Sequence, residues 1–332
     1  SGILNSVHTF ANDPQRGLFI LVFLFSLIFL ALFIFFYFHK NENKNTKVFF
    51  LLSKESSILV NNWFMMYFLS VILIGTIYPI FLEVITLKKI SVGPPFYNAL
   101  IIPFLVPFLL AMAIGPKLGW IKTDFQNKKY LILFLIISLL LSAFIVKLLD
   151  LSFLINTILI SSAFYLFFIS IIDFLKDKSK NLSQNLAHFG FSLFILSVLF
   201  NNIFSTEIIT NLKVGETYES PETKIVFESI NQKQEKNYKS VIANFSVKRS
   251  NGIAENLSPE LRIYNQPNIV TSEADIKTSL ISDKFIVINI VKNQDYFNVR
   301  YQVKPFMLWI WMSVLLISFA GCMSLFRKEY EK

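Results

Sequence analysis

The sequence is poor in reactive side chains. One cysteine, Cys322, excludes an internal disulfide, a CxxC redox pair and a cysteine-built zinc site, so the chain by itself is no thiol oxidoreductase. Cys322 falls in the last apolar run and is expected to pack as a small apolar residue. There are three histidines, His8, His39 and His188. No phosphate loop, HExxH pair, nucleophile elbow or Cys/His metal spacing occurs. Charged residues make up only 16% of the chain, where a soluble domain has about a quarter. No carboxylate pair lies inside an apolar run: Glu83 and Asp150 stand at run ends and Asp173 near one. A soluble-style hydrolase is thereby excluded. Ser1 to Arg16 lacks the basic start and apolar core of a signal peptide. With no initiating Met, the sequence reads as a piece of a longer polypeptide. No internal repeat is visible.

What the chain has in abundance is apolar residues, 54% of the total, with 37 phenylalanines. They form runs of about the twenty residues that a bilayer-spanning helix needs. Seven spans are expected, at 17–38, 58–81, 97–115, 130–147, 153–174, 185–204 and 305–326. The fold class is therefore a multi-pass α-helical membrane protein of about seven transmembrane helices, with the lipid bilayer as its solvent. The fourth and fifth spans should form a hairpin around Asp150. The net charge of +9 sits mainly in short loops. Lys40, Lys44, Lys47 and Lys54 follow the first span. Lys117, Lys122, Lys128 and Lys129 follow the third, Lys176, Lys178 and Lys180 the fifth, and Arg327, Lys328 and Lys332 the seventh. The alternate loops hold Arg16, Lys88, Lys89 and Lys147, so the lysine-rich side should face the cytoplasm. That distribution serves topology, and it argues against nucleic-acid binding.

The segment 205–304 is polar and different in kind. Val241, Ala243, Phe245 and Val247 alternate with mostly polar residues. Ile286, Ile288 and Ile290 do so, and so do Phe297, Val299, Tyr301 and Val303. Period-two alternation predicts strands of a small β-rich domain inserted before the last helix. Asn293–Asp295 is a candidate hairpin turn. Four regions are expected: 1–16 outside the membrane, 17–204 with six helices, 205–304 as the β-rich domain, and 305–332 as the last helix and a cytoplasmic tail. In a bacterium with two membranes, this places the chain in the inner membrane with residues 1–16 and the β-domain in the periplasm.

An ionisable residue near or inside a span is a functional candidate. His188, within NLAHFGFSLFILSVLF, could be a histidine hydrogen-bonded to a neighbouring helix, or an axial ligand to haem iron. Gly190 would clear side-chain bulk for a flat macrocycle. His8, in SVHTFANDPQRG, could be solvent-facing or could ligate haem or a metal. His39, beside Lys40, reads as an interfacial residue. The loop KISVGPPFYNALIIPF is expected to be stiff through Pro94 and Pro95, with Gly93 permitting a turn. It would be a rigid connector or a wall for a ligand or partner peptide. Asn61 and Asn62 in the second span would be buried amides that join helices.

SGILNSVHTFANDPQRGLFIL, KISVGPPFYN, LAHFG, SPELRIYNQ with TSEADI, and YQVKPFMLWIWMSVLL together resemble the CcmF-type cytochrome c haem lyases of the system I maturation pathway. The resemblance runs in order along essentially the whole chain. It implies an enzyme that takes haem as substrate from a periplasmic haem chaperone and joins it to the CxxCH thiols of apocytochrome c. Other cytochrome c maturation membrane proteins would be further partners. By position, His8 resembles a periplasmic histidine that holds the incoming haem iron and is the implied catalytic residue. His188 resembles a membrane histidine that holds the iron of a resident haem b. Arg16 is a candidate for a haem propionate, or an interfacial anchor. His39 has no counterpart role.

The sequence departs from the family in two respects. A tryptophan-rich WWD segment is absent, since Trp63, Trp120, Trp309 and Trp311 do not form it. The partner histidines of His8 and His188 are absent too. The resemblance is thus to the C-terminal half of such a protein, with the N-terminal half as a missing partner. Alone, the chain is expected to bind haem poorly and to be inactive. Two other classes compete: a non-enzymatic scaffold for cytochrome assembly, and a transporter with span three broken by Pro103 and Pro107.

Overall fold

The computed structural model describes residues 14–38, 50–86, 90, 92–123, 129–176, 182–250, 252–265, 269–291 and 294–325. They hold seven α-helices, one short 3₁₀ turn and ten strands: α1 (Pro14–Phe38), α2 (Lys54–Thr86), α3 (Pro94–Ile114), α4 (Lys129–Leu148), α5 (Phe153–Lys176), α6 (Leu182–Phe204), β1 (Thr206–Leu212), β2 (Thr217–Glu219), β3 (Thr223–Gln234), β4 (Tyr238–Arg249), β5 (Glu255–Leu257), β6 (Glu260–Tyr264), β7 (Val270–Glu273), β8 (Asp275–Thr278), β9 (Ser282–Ile290), β10 (Phe297–Pro305) and α7 (Met307–Leu325). Six helices, α2 to α7, are long and apolar enough to cross a membrane, and α1 carries a shorter apolar stretch, Val22–Phe38. Their outward faces are apolar: Phe29 and Phe36 on α1, Trp63 and Leu69 on α2, and Leu315 on α7 are all exposed. Such surfaces are stable against lipid, and the protein is a multi-pass membrane protein with a β-rich domain.

The chain divides into two compact units, residues 1–130 and 131–332. In the first, α2 packs on α3 through aromatic rings. The Phe108 ring meets Phe64 and Phe68, each at 5.5 Å, and Tyr67 donates its hydroxyl hydrogen to the carbonyl of Leu100 at 2.8 Å. Gly75 lets the Tyr97 side chain press on α2, where a Cβ would lie 2.7 Å from the Tyr97 hydroxyl oxygen.

Four expectations for this unit are corrected. Pro94 and Pro95 are the first turn of α3, where a missing N–H costs nothing, and not a loop. Gly93 caps that helix with an extended backbone, φ −107°, so no special turn requires it. Pro103 and Pro107 leave α3 unbroken; each removes one backbone bond, a loss that membrane helices tolerate. Asn61 and Asn62 are exposed on α2 rather than buried.

In the second unit α4 and α5 form the expected hairpin. Asp150 turns it with φ +50°, and Phe134 meets Phe168 with ring centroids 6.0 Å apart. Small residues line the buried faces: Ser138 and Ser142 on α4, Ser161, Ser162, Ala163 and Ser170 on α5, Ser192 and Ser197 on α6, Ser313 and Ala320 on α7. Small side chains let helix backbones approach in lipid, where no hydrophobic drive holds helices together. The hydroxyls of Ser138, Ser162, Ser170, Ser192 and Ser313 bond to carbonyls one turn back on their own helices, so none is buried unpaired. Cys322 is exposed on α7 instead of packed.

The strands form a sandwich. One sheet has the order β1-β10-β9-β8 and the other β2-β3-β4-β6-β7, with β5 also on β4; neighbouring strands pair antiparallel. The alternating residues point inward. Ala243, Phe245 and Val247 from β4 (Tyr238–Arg249), Ile286 and Ile288 from β9 (Ser282–Ile290), and Val299, Tyr301 and Val303 from β10 (Phe297–Pro305) are all buried in its core. Phe227 of β3 stacks on Phe245 at 4.4 Å at its centre. Ile290 is the exception, exposed at the far end of β9. Of the proposed turn residues, Asn293 lies outside the described residues.

The sandwich is joined to the helices with almost no linker. α6 ends at Phe204 and β1 starts at Thr206, while β10 ends at Pro305 and α7 starts at Met307. β1 and β10 are paired neighbours, with Thr206 opposite Val303. The Asn201 amide donates to the Pro305 carbonyl at 2.6 Å and closes the junction.

Candidate functional site

Of the proposed site residues, His188 is the one the structure describes in full. His8 and His39 lie outside the described residues. Arg16 lies in the first turn of α1, in the other compact unit.

His188 stands six residues into α6, about 9 Å from its start at 1.5 Å per residue. Two neighbouring helices fix the rotation of α6. Toward α7, the Ser183 hydroxyl donates to the Ala320 carbonyl at 2.7 Å, and Gly190 is buried against Ile317 and Ser313. Ser183, Gly190 and Ser197 recur every seven residues and so share this face, opposite Ser313 and Ala320. Toward α5, the buried Asn185 donates an amide hydrogen to the Asp173 carbonyl at 3.2 Å. The Phe189 ring stacks on Phe167 at 5.7 Å and Phe174 at 6.4 Å.

His188 is off the α7 seam and at the edge of the α5 contact. Two residues along a helix is about 200°, so His188 faces away from Gly190 and from α7. Its position lies beside the α5 contact, on the side shared by spacing with Gln184, Phe191 and Ile195. The imidazole is half-buried, and Phe191 and Ile195 are half-buried with it. This is a partly open, aromatic-flanked face next to a rigid helix pair.

The role expected for Gly190 is overturned. It does not clear space for a macrocycle, because a Cβ there would meet Ile317 Cγ1 at 2.9 Å and α7 backbone atoms at 3.3 Å. Its missing side chain admits α7, and it acts on His188 only by fixing α6. The sequence reading also missed Asn185 and Phe189, which set the α5–α6 register. The signal was present as an amide and a phenylalanine four residues apart on one face, three residues before and one after the histidine.

A neutral imidazole suits haem iron. The described residues contain one histidine, His188, and no group of three or more His, Cys, Asp or Glu side chains able to hold a metal ion occurs among them.

Outside the membrane the sandwich carries three ion pairs of note. Arg300 and Gln302 on β10 both donate to the Glu207 carboxylate of β1, which holds that carboxyl below the ordinary range. Arg262 pairs with Glu260 at 2.9 Å and lies over the Tyr238 ring, and Lys284 pairs with Glu255. The Arg300–Glu207 and Lys284–Glu255 pairs join different strands, while Arg262–Glu260 lies within β6; all are partly exposed, and each is worth little energetically.

Comparison with known proteins bears on identity. Residues 203–305 match the family model described as the CcmF C-terminal beta-sandwich. Over its whole length the chain is 30% identical to the cytochrome c-type biogenesis protein CcmF of Pseudomonas fluorescens, covering 52% of that protein. It is 28% identical to CcmF of Escherichia coli K12, again over the whole chain and 53% of the relative. Thus the chain spans about half the length of the curated relatives it matches. A solved structure named Cytochrome c Heme Lyase CcmF superposes with a TM-score of 0.64 at 19% identity, over 84% of this chain and 46% of that one, and so shares the fold. In sequence over its whole length, and in its β-sandwich between the last two helices, the chain is similar to the C-terminal half of the CcmF-type cytochrome c biogenesis proteins.

Proposed function

We propose that this chain serves cytochrome c maturation as the C-terminal part of a membrane haem lyase. In that reaction the two thiols of an apocytochrome CxxCH motif add across the haem vinyl groups, each giving a thioether with no atom lost. His8 would hold the iron of the incoming haem on the outer side, and Arg16 would meet a propionate. His188 would be one axial ligand of a resident haem b, with the second imidazole supplied from outside the described residues. A haem held there supplies one-electron chemistry that keeps the substrate iron reduced. The chain's own contribution is to aim and shield the imidazole: Asn185 and Phe189 fix α6 on α5, and Gly190 and Ser183 fix it on α7. The lysine-rich loops would face the cytoplasm, and the sandwich the periplasm of a bacterial inner membrane. There it could meet a haem chaperone, the apocytochrome and other maturation proteins.

What supports this reading is the half-buried position of His188 beside Asn185 and Phe189, the residues that hold α6 on α5. The test is the optical spectrum of the complete protein, purified and reconstituted, with and without His188→Ala. Loss or displacement of a low-spin reduced haem b band is expected for the variant. An unchanged spectrum sinks the ligand role. Cytochrome c maturation that survives both His8→Ala and His188→Ala would favour the scaffold reading instead.

A further inference from the structure

The turn joining β8 (Asp275–Thr278) to β9 has the sequence Ser279-Leu280-Ile281-Ser282. Its two tip residues are the most exposed apolar pair on the sandwich, Leu280 at 71% and Ile281 at 73%. A hairpin tip that faces water favours Gly, Asn or Asp at those positions. The geometry points to a lipid-binding tip: we infer that Leu280 and Ile281 insert into the headgroup–acyl boundary of the bilayer crossed by α7, and anchor the sandwich to the membrane surface.

Three observations carry this. The tip is tied to the start of the last span. The Phe306 N–H donates to the Ile281 carbonyl at 2.8 Å, and the Trp309 indole N–H donates to the Leu280 carbonyl at 2.9 Å. Trp309 is the third residue of α7, and tryptophan at a span end belongs at the membrane–water interface. The tip thus sits at the depth of that interface, with both side chains free to enter it. Second, the backbone is prepared for an apolar surrounding. Both tip carbonyls are taken by α7 and its approach. The flanking serines satisfy each other: Ser279 Oγ donates to the Ser282 carbonyl at 2.7 Å, and the Ser282 N–H donates to Ser279 Oγ at 3.0 Å. Unsatisfied carbonyls are what would bar a loop from hydrocarbon. Third, Phe306 turns the chain at φ +61°, an arrangement that β-strand continuation into the helix would not need. That bend brings its N–H to the Ile281 carbonyl. The anchor would restrain rotation of the sandwich about the α6–β1 and β10–α7 crossings.

The test uses the full chain in phosphatidylcholine vesicles. Cys322→Ser removes its one thiol, and single cysteines then replace Leu280, Ile281 or Ile290. Ile290 is comparably apolar and 51% exposed, but lies nine residues beyond Ile281 at the far end of the same strand, on the order of 30 Å away. Each thiol carries an environment-sensitive fluorophore, and lipids spin-labelled near the headgroup are the quenchers. Positions 280 and 281 should be quenched at least about three-fold more than 290. Quenching equal to that at 290 overturns the proposal. Blue-shifted emission at 280 that the labelled lipid cannot quench also overturns it, because a protein partner would then cover the tip.

Discussion

Replacing Gly190 by alanine should destabilise the helical region, although the same change at an open helix position stabilises. The alanine Cβ would stand 2.9 Å from Ile317 Cγ1 and 3.3 Å from both the Ile317 nitrogen and the Ser313 oxygen. Ordinary carbon contacts lie at roughly 3.5–4.0 Å. Ile317 is β-branched and its Cγ1 cannot swing aside freely, and the other two atoms are α7 backbone. The two helices must therefore part by several tenths of an ångström. Overpacking of this kind costs about 1–3 kcal/mol, against about 1 kcal/mol gained in helix propensity. The net expectation is a loss of about 1 kcal/mol. Gly321 on α7 is the internal control, since a Cβ there meets nothing within 4 Å. Gly321→Ala should be neutral or gain up to about 1 kcal/mol. The two variants should thus differ by about 2 kcal/mol, roughly thirty-fold in the folding equilibrium. Denaturation by added dodecyl sulfate in mixed micelles, followed by far-ultraviolet circular dichroism, would read the midpoints. A Gly190→Ala protein as stable as Gly321→Ala would refute the close α6–α7 approach. It would also remove the account of how α6 is held around His188.

Other outcomes are expected in the soluble part and at the clasp of α2. The hydrogen bonds from Arg300 and Gln302 lower the Glu207 carboxyl below its ordinary 4.5, so their support is present above that pH and fades as pH falls below it. Glu207→Gln should flatten the acid side of the sandwich's stability profile, read as melting temperature between pH 6 and 3; an unchanged slope would exclude the pair as a contributor. Tyr301 is buried to 2% exposure with no hydrogen-bond partner for its hydroxyl among the described residues, and burial pushes that hydroxyl up to about 12. Tyr301→Phe should therefore hold or raise the melting temperature, by up to about 1–2 kcal/mol, and a clear fall would show that the hydroxyl is bonded. Phe227→Ala should cost about 3–5 kcal/mol by opening the stack on Phe245, and protease sensitivity limited to 206–305 would report it. Ile121 adopts φ +67° while its N–H is held by the Glu55 carboxylate at 3.0 Å, so Ile121→Gly should gain about 1 kcal/mol in a thermal unfolding assay.

Much of this was legible along the chain, because lipid and sheet each impose a simple period. Apolar length alone marks a helix that must satisfy its own backbone in hydrocarbon, which is why the long runs could be found without neighbours. Period-two alternation exposed β4, β9 and β10, whose inward residues are all apolar. The short strands β2, β5, β7 and β8 were not legible, since three or four residues, most of them polar, carry too few apolar positions to count a period. At the site, residue type singled out His188 but misread its neighbour. A glycine beside a histidine looks the same whether it admits a ring or a helix.

By itself the sequence determined that this is a multi-pass membrane protein and that a strand-rich domain precedes its last helix. Those are matters of composition and local periodicity. Only the tertiary structure decided which helices meet, that Gly190 belongs to the α6–α7 seam, and that His188 stands beside the α5 contact. It also decided that a Leu-Ile tip, distant in sequence from Trp309, shares its depth. Each of these depends on the rotation of one element against another, and a helix's rotation is set by the side chains of its partners rather than by its own.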